Sequence, residues 1–187
     1  MLSVESGTSN VTFRFSALRV GKVRACDDFK YGRVNLSCAV RTPITLPTWG
    51  RIGQLSLAVR DSAVDWAFSK ADHEAAYKNL PSPRPRPTVA LRSPVDGRWC
   101  GFLSRTLLFG ASAAVLHYNC FSRIVAVLAN KIFGLRLTNY FDDFGCFITD
   151  FLDGPGVRVF ASSFRVLGIK LRRKKTDVGR RLTFLGL

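Results

Sequence analysis

Residues 135–149 read Leu-Arg-Leu-Thr-Asn-Tyr140-Phe-Asp142-Asp143-Phe-Gly-Cys-Phe-Ile-Thr149, and this stretch decides how the chain is understood. Leu135 to Phe141 and Phe144 to Thr149 are rich in aromatic and β-branched residues, so two strands are expected with a tight turn between them. The turn carries two adjacent carboxylates. Like charges held together raise one pKa unless a cation is bound. The flanking Phe and Leu residues argue against an ordinary hydrated loop, and a hard divalent ion such as Mg²⁺, which takes oxygen ligands, relieves the repulsion. One carboxylate pair rarely holds two ions, so a third carboxylate is sought elsewhere. Asp72 is the candidate, after the β-like Trp66 to Phe68. The Asp-Asp pair alone is explained equally well by a surface turn.

Upstream of this stretch, Ala114, Tyr118, Phe121, Val125, Leu128 and Ile132 recur at steps of four and three, one apolar face of a helix over 112–132. Gly134 is its expected stop. Thr88 to Leu91 and Arg98 to Leu103 flank the turn-rich Ser93-Pro-Val-Asp-Gly97 and predict a hairpin. Pro81-Ser-Pro-Arg-Pro-Arg-Pro87 reads as an extended basic connector, because proline lacks the donor and fixes φ. Before it, Asp61 to Phe68 and Lys70 to Leu80 read as short helices, the second stopping at Pro81. Val11 to Phe15 and Val34 to Val40 are β-prone. Downstream, a helix over Val157 to Leu167 ends at Gly168, and a basic strand-turn-strand follows from Lys170 to Leu187. The pattern is α+β, without an internal repeat.

The 187 residues are 47% hydrophobic with 15 Phe, enough to bury a substantial core and too apolar for a disordered class. The net charge of +15 favours a polyanion, nucleic acid before an anionic membrane. Basic residues crowd the stretches Val11 to Arg60 and Arg158 to Arg181, while most carboxylates lie between. A solvated basic surface is the plainer reading of these flanks. Cys26, Cys38, Cys100, Cys120 and Cys146 are odd in number and lack a CxxC pair, against both a disulfide framework and a zinc site. They are expected to be mostly small buried residues in a reducing compartment. The N-terminus has Glu5 where a signal peptide needs an apolar run. Thr106 to Leu135 is interrupted by His117, Asn119, Arg123 and Lys131 and makes a poor membrane span. A soluble protein of the cytoplasm or nucleus is expected, with no membrane partner.

The surroundings of the carboxylates change their weight. Asp72-His-Glu-Ala-Ala76-Tyr77 has the spacing D-x-x-x-A-Y and runs into Leu80-Pro81. Then come Thr88-Val-Ala, Gly97-Arg-Trp, Leu108-Phe109-Gly110-Ala-Ser-Ala-Ala114, Tyr140-Phe-Asp-Asp143, Gly168, Lys174-Lys175 and Phe184-Leu185-Gly186. This order of boxes resembles the palm of reverse transcriptases, with their Y-x-D-D box and terminal F-L-G primer grip. Lys22-Val-Arg24-Ala-Cys-Asp-Asp28-Phe29, with Asn35 beyond, resembles the family's fingers. The likeness covers about residues 20–187 and is nearest to retrotransposon enzymes of the long-terminal-repeat or tyrosine-recombinase kind.

The resemblance implies a right-hand palm, an antiparallel sheet backed by helices. Residues 1–69 would be partial fingers and 70–187 the palm, with 88–103 returning to the fingers. It implies an RNA-directed DNA polymerase, a nucleotidyltransferase that uses two Mg²⁺ ions (Mn²⁺ substituting), an RNA or DNA template with primer, and deoxynucleoside triphosphates. Asp72 and Asp142 would bind both ions with Asp143 assisting, and the main chain of His73 would help to hold the second. Tyr77 would lie under the incoming sugar. Arg24 and Lys22 would clamp the triphosphate, and Phe109 and Gly110 would touch nucleotide and template. Lys174 or Lys175 would sit near the leaving phosphates, and Phe184, Leu185 and Gly186 would position the primer end. Core packing for Tyr77, a solvated strand for Arg24 and an exposed turn for Lys174-Lys175 remain the plainer alternatives. His73 and His117 read as packing side chains rather than ligands.

Leu108 and Val115 stand where many relatives have proline. The chain stops at Leu187, immediately after the grip, so a truncated copy is one expectation and a thumb or ribonuclease H supplied elsewhere is another. Two rival functions stay open. An RNA-dependent RNA polymerase usually carries a second aspartate in the first box, where Ala76-Tyr77 stands here. An inactive, basic nucleic-acid-binding remnant would keep the boxes without the chemistry.

Overall fold

The computed structural model describes residues 11–19, 22–30, 34–37, 43–47, 49–61, 65–82, 84, 86–149, 154–180 and 182–185. Its contacts cluster into two units, Met1–Pro43 with Ala75–Tyr118 and Ile44–Glu74 with Asn119–Leu187. The sequence placed a division between residues 69 and 70, with 88–103 returning. In contact terms the returning stretch is the longer Ala75–Tyr118, and the second unit starts at Ile44.

The first unit is built on a four-stranded sheet in the order β2-β1-β4-β5. Its strands are β1 (Val11–Arg19), β2 (Lys22–Asp28), β4 (Thr88–Arg92) and β5 (Trp99–Leu103). β1 pairs with β2 and β4 with β5 in antiparallel fashion, and β1 runs parallel to β4. The β4–β5 hairpin predicted from Ser93-Pro-Val-Asp-Gly97 is present. Ser93 N–H donates to the Arg98 carbonyl at 2.8 Å, and Gly97 takes φ 69°. β5 is an edge strand whose five residues are all exposed. A small core joins Phe29, Val89 and Leu108.

The second unit carries an all-antiparallel sheet in the order β6-β7-β3-β8. Its strands are β3 (Trp66–Asp72), β6 (Arg136–Tyr140), β7 (Asp143–Thr149) and β8 (Asp177–Gly179). One face is apolar. Ala67 and Ala71 of β3, Leu137 of β6 and Phe144, Cys146 and Ile148 of β7 pack against Val125, Ala126 and Ala129 of α2 (Ser112–Phe133) and Phe160 and Phe164 of α3 (Pro155–Val166). The strand period of two explains this division, because alternate residues face opposite sides. Trp66, Phe68, Lys70 and Asp72 therefore share the other face with Asp143, Gly145 and Phe147. α3 starts with Pro at its first position, where no donor is lost. It ends in a Schellman turn: Gly168 takes φ 71°, and Ile169 N–H reaches the Phe164 carbonyl at 2.8 Å. α1 (Trp49–Arg60) completes the unit's helices among the described residues.

The α+β class and the strand-turn-strand around Asp142 are as the sequence predicted. Several local expectations need correction. Asp61–Phe68 is not a helix, since α1 ends at Arg60 and β3 begins at Trp66. Lys70–Leu80 is not one either: β3 runs to Asp72, and only Ala76–Asn79 forms a short 3₁₀ turn. Ala67 and Ala71 are good helix formers, but they pack as small residues under α2 and α3. Val34–Ser37 is a 3₁₀ turn rather than part of a strand, and the remainder of that run lies outside the described residues. The basic C-terminal segment holds a 3₁₀ turn at Arg173–Lys175 and the three-residue β8 instead of a hairpin.

On α2, Ala114, Tyr118 and Val125 of the predicted face are buried and Phe121 and Leu128 half-buried, but the buried side extends further than predicted. In the second unit Asn119, Ser122, Val125, Ala126 and Ala129 are buried, whereas Ile132 is 64% exposed. By length and composition α2 could cross a bilayer. Of its buried polar groups, Ser122 Oγ accepts from Asn139 Nδ2 at 2.9 Å and donates to the Asn119 carbonyl at 3.1 Å, while Asn119 Oδ1 is buried without a hydrogen bond. Cys146 is buried as expected, but Cys100 and Cys120 are exposed. Cys26 and Cys38 have no described side chains.

Candidate active site

Tyr140-Phe-Asp-Asp143 forms the hairpin tip between β6 and β7, with Tyr140 and Asp143 as facing partners. Phe141 takes φ 51°, the left-handed conformation that this two-residue connection needs and a bulky side chain resists. Across the sheet Asp143 faces Asp72, the last residue of β3. Cα atoms so paired lie roughly 4.5–5.5 Å apart, with side chains on one face. His73 N–H donates to the Asp142 carbonyl at 2.9 Å and ties the end of β3 to the tip. Three aspartates from two distant segments therefore lie at one end of the sheet.

Basic residues answer them. Lys175 Nζ donates to Asp72 Oδ2 at 2.5 Å. Arg172 Nη1 lies 3.3 Å from Asp72 Oδ1, yet that buried oxygen accepts no hydrogen bond. Arg172 N–H also donates to the Asp72 carbonyl at 2.8 Å, fixing the basic segment beside the strand end. Burial pushes the Asp143 carboxyl above its ordinary range. Asp142 and Asp72 reinforce that shift, while Lys175 and Arg172 oppose it. The His73 ring, 2% exposed, is pushed down by burial against the pull of Asp142 and Asp72, which favours neutral imidazole.

Asp143 gives a linkage prediction. A carboxyl whose folded pKa is raised contributes stability that is complete below the ordinary carboxylate range and lost as pH rises through the folded value. Asp143→Asn removes that loss. The variant should melt higher than the wild type near neutral pH, and the gap should close in acid; thermal melts across pH test both halves.

A cleft of about 520 Å³ opens beside the carboxylates, lined by Asp72 and Asp143, by Lys70, Lys174 and Lys175, and by Thr183, Phe184 and Leu185. Sequence reasoning named most of these residues but missed Lys70 and Thr183, and it also missed Gly145 on the same face of the sheet. The strand period held the signal, since Lys70 precedes Asp72 by two and Gly145 follows Asp143 by two, on the same face. Lys174 is exposed within the 3₁₀ turn that also carries Lys175. Gly186 and the side chains of Lys22 and Arg24 lie outside the described residues; the backbone of Lys22 and Arg24 belongs to β2.

Tyr77, Phe109 and Gly110 belong to the first unit. The Tyr77 ring stacks on Tyr118 with centroids 4.8 Å apart and meets Phe109 edge-on at 5.6 Å. Phe109 is 63% exposed. Gly110 takes φ 105°, and a Cβ there would come within 3.0 Å of the Asp27 carbonyl. Asn35 clamps this turn, donating to the Gly110 carbonyl and accepting from Ser112 N–H at the start of α2. Arg14 and Asp27, partners on β1 and β2, form a two-pronged ion pair at 2.7 and 3.0 Å.

Among the described residues no three His, Cys, Asp or Glu side chains form a ready-made ligand set for one ion. The donors at the strand end nonetheless suit a hard cation: carboxylate oxygens, one of them buried without a hydrogen bond, around a carboxyl whose charge is disfavoured by burial and then by Asp142 and Asp72. No protein-family model matches the chain, and no curated protein matches it significantly.

Proposed function

We propose that the second unit is the palm of a reverse-transcriptase-type polymerase, extending a primer on an RNA or DNA template from deoxynucleoside triphosphates. The observation that carries this reading is the pairing of Asp72 with Asp143 beside the Asp142 tip, on the open face of a sheet backed by α2 and α3. Two Mg²⁺ ions, when bound, would activate the primer hydroxyl and stabilise the leaving pyrophosphate. Asp72, Asp142 and Asp143 would hold them. Arg172 and Lys175, now balancing Asp72, would be free to face phosphate oxygens once cations take over the carboxylates. Tyr77 would select the deoxy sugar, Phe109 and Gly110 would touch nucleotide and template, Lys22 and Arg24 would clamp the triphosphate, and Phe184 with its neighbours would carry the primer end. The order of sequence boxes supplies these last roles.

Primer extension by the chain with Mg²⁺ or Mn²⁺ is the direct test, and no product with either ion would sink the proposal. A second readout is independent of turnover. A cation bound at the carboxylates stabilises the fold by mass action, about 2.7 kcal/mol at a hundredfold excess over Kd. Mg²⁺ should therefore raise the melting temperature of the wild type but not of Asp142→Asn.

The Asp72 ion pairs favour a second reading, a basic nucleic-acid-binding protein without catalysis, because a neutralised carboxylate needs no metal. That reading predicts duplex binding with no Mg²⁺-dependent shift in melting. Both readings share a salt dependence. Arg173 and Lys174 are exposed and have no described ion pair. Replacing both with Ala should flatten the slope of log affinity against log salt by about two, as each phosphate contact contributes about 0.9. An unchanged slope would remove this turn from the nucleic-acid surface.

A further inference from the structure

The segment 182–185 has an unusual seat. An added Cβ at Gly145 would meet Phe68 Cζ at 2.5 Å and Phe184 Cζ at 3.1 Å, so only glycine leaves room for the rings above this row of the sheet. Phe184, 8% exposed, fills the notch and packs edge-on against Phe68 with centroids 5.3 Å apart; Phe68 meets Phe147 in the same manner at 5.0 Å. Gly145 faces Lys70 across the β3–β7 pair. Lys70 Nζ donates to the Thr183 carbonyl at 3.1 Å and lies 3.9 Å from Asp177. A lysine on the strand and a gap in the next strand thus hold one short segment from two sides. The held segment forms the wall of the cleft whose floor carries Asp72 and Asp143.

We infer that Lys70 and Gly145 are positioning residues that fix segment 182–185 as the wall against which the primer end rests. The inference builds on the polymerase reading. Neither residue needs to touch substrate. A wall that shifts by about 1 Å can cost roughly a hundredfold in a reaction that depends on alignment. The nucleotide's own contacts should be spared, so the defect belongs to the duplex.

The test uses chymotrypsin on the full chain and reads cleavage after Phe184 relative to cleavage after the exposed Phe109 in the same sample. Lys70→Met and Gly145→Ala should each raise that ratio about tenfold, because an unseated segment reaches the protease. Lys70→Arg, which keeps a donor, should stay near wild type. A DNA primer annealed to an RNA template should protect Phe184 in the wild type and less in both variants. In extension, KM for this duplex should rise about tenfold while KM for the nucleotide stays within about twofold.

A ratio unchanged in both variants would overturn the seating. Equal rises in both KM values, or a rise for the nucleotide alone, would overturn the positioning role. If Gly145→Ala fails to fold, Lys70→Met carries the test. If the wild type extends nothing, the polymerase reading falls, while cleavage with and without duplex still decides whether these residues hold a nucleic-acid contact.

Discussion

Asp72→Asn should abolish primer extension, lowering its rate by about a thousandfold or more while the protein stays folded. The side chain is nearly isosteric, so the change removes charge and little volume. The lost charge is the one the proposed chemistry depends on: cation-held carboxylates supply several kcal/mol of transition-state stabilisation, and each 1.36 kcal/mol is tenfold in rate. Folding should suffer little. The partners left behind, Lys175 and Arg172, have side chains 55% and 44% exposed and can turn to water. Asp72 itself is buried, but the charges it leaves behind are not, so the several-kcal/mol cost of a buried unpaired charge is avoided. Single-turnover extension with saturating Mg²⁺ measures the first effect and urea denaturation the second. Extension at wild-type rate would remove Asp72 from the chemistry, and unfolding of the variant would make the residue structural.

Phe144→Ala should produce the largest loss of stability, about 3–5 kcal/mol. Phe144 is fully buried between Asp143 and the Gly145 notch, on the helix-facing side of β7, with its ring 4.9 Å from Phe164. Phe160 backs Phe164 at 5.1 Å, so the three rings form one edge-to-face cluster from sheet to α3. Alanine would leave a cavity that backbone paired on both edges cannot close, since β7 lies between β6 and β3. For a chain of this size the midpoint should fall by about 10 °C. The loss is predicted to be equal with and without Mg²⁺, which separates core packing from effects on the carboxylates. A fall of only a degree or two would mean that α3 moves in to fill the space.

Much of this was legible in the sequence because short-range signals agreed with the packing. The β6 and β7 runs alternate around a turn, α2 has its 3.6-residue period, and Gly168 ends α3. Pairing Asp72 with Asp143 could be anticipated only through the order of boxes, because nothing local to either residue specifies a partner so distant in the chain. The failures share a cause. Ala67 and Ala71 favour helix as isolated residues, but β3 needs small side chains under α2 and α3, and tertiary packing overrides a propensity worth tenths of a kcal/mol per residue. The burial of Asn119 and Ser122 on α2 was not anticipated, because both look like surface residues until the bond from Asn139 to Ser122 Oγ is seen. Lys70 and Gly145 carried no local signal, because what marks them is the face they share with Asp72 and Asp143 across paired strands.

The uncharged edge of β5 governs how the purified protein will behave in the tube. Trp99, Phe102 and Leu103 are each more than half exposed on a strand with one unpaired side among the described residues, and Cys100 is exposed between them. Open strands of this kind template pairing with other copies. At low salt the net charge of +15 keeps copies apart. The electrolyte that strips bound nucleic acid shortens the screening length from about 10 Å at 0.1 M to about 3 Å at 1 M and removes that colloidal protection. Purification steps that clean the protein of polyanion are therefore the ones in which turbidity should develop, and a single lysine placed at Trp99 would keep such preparations clear.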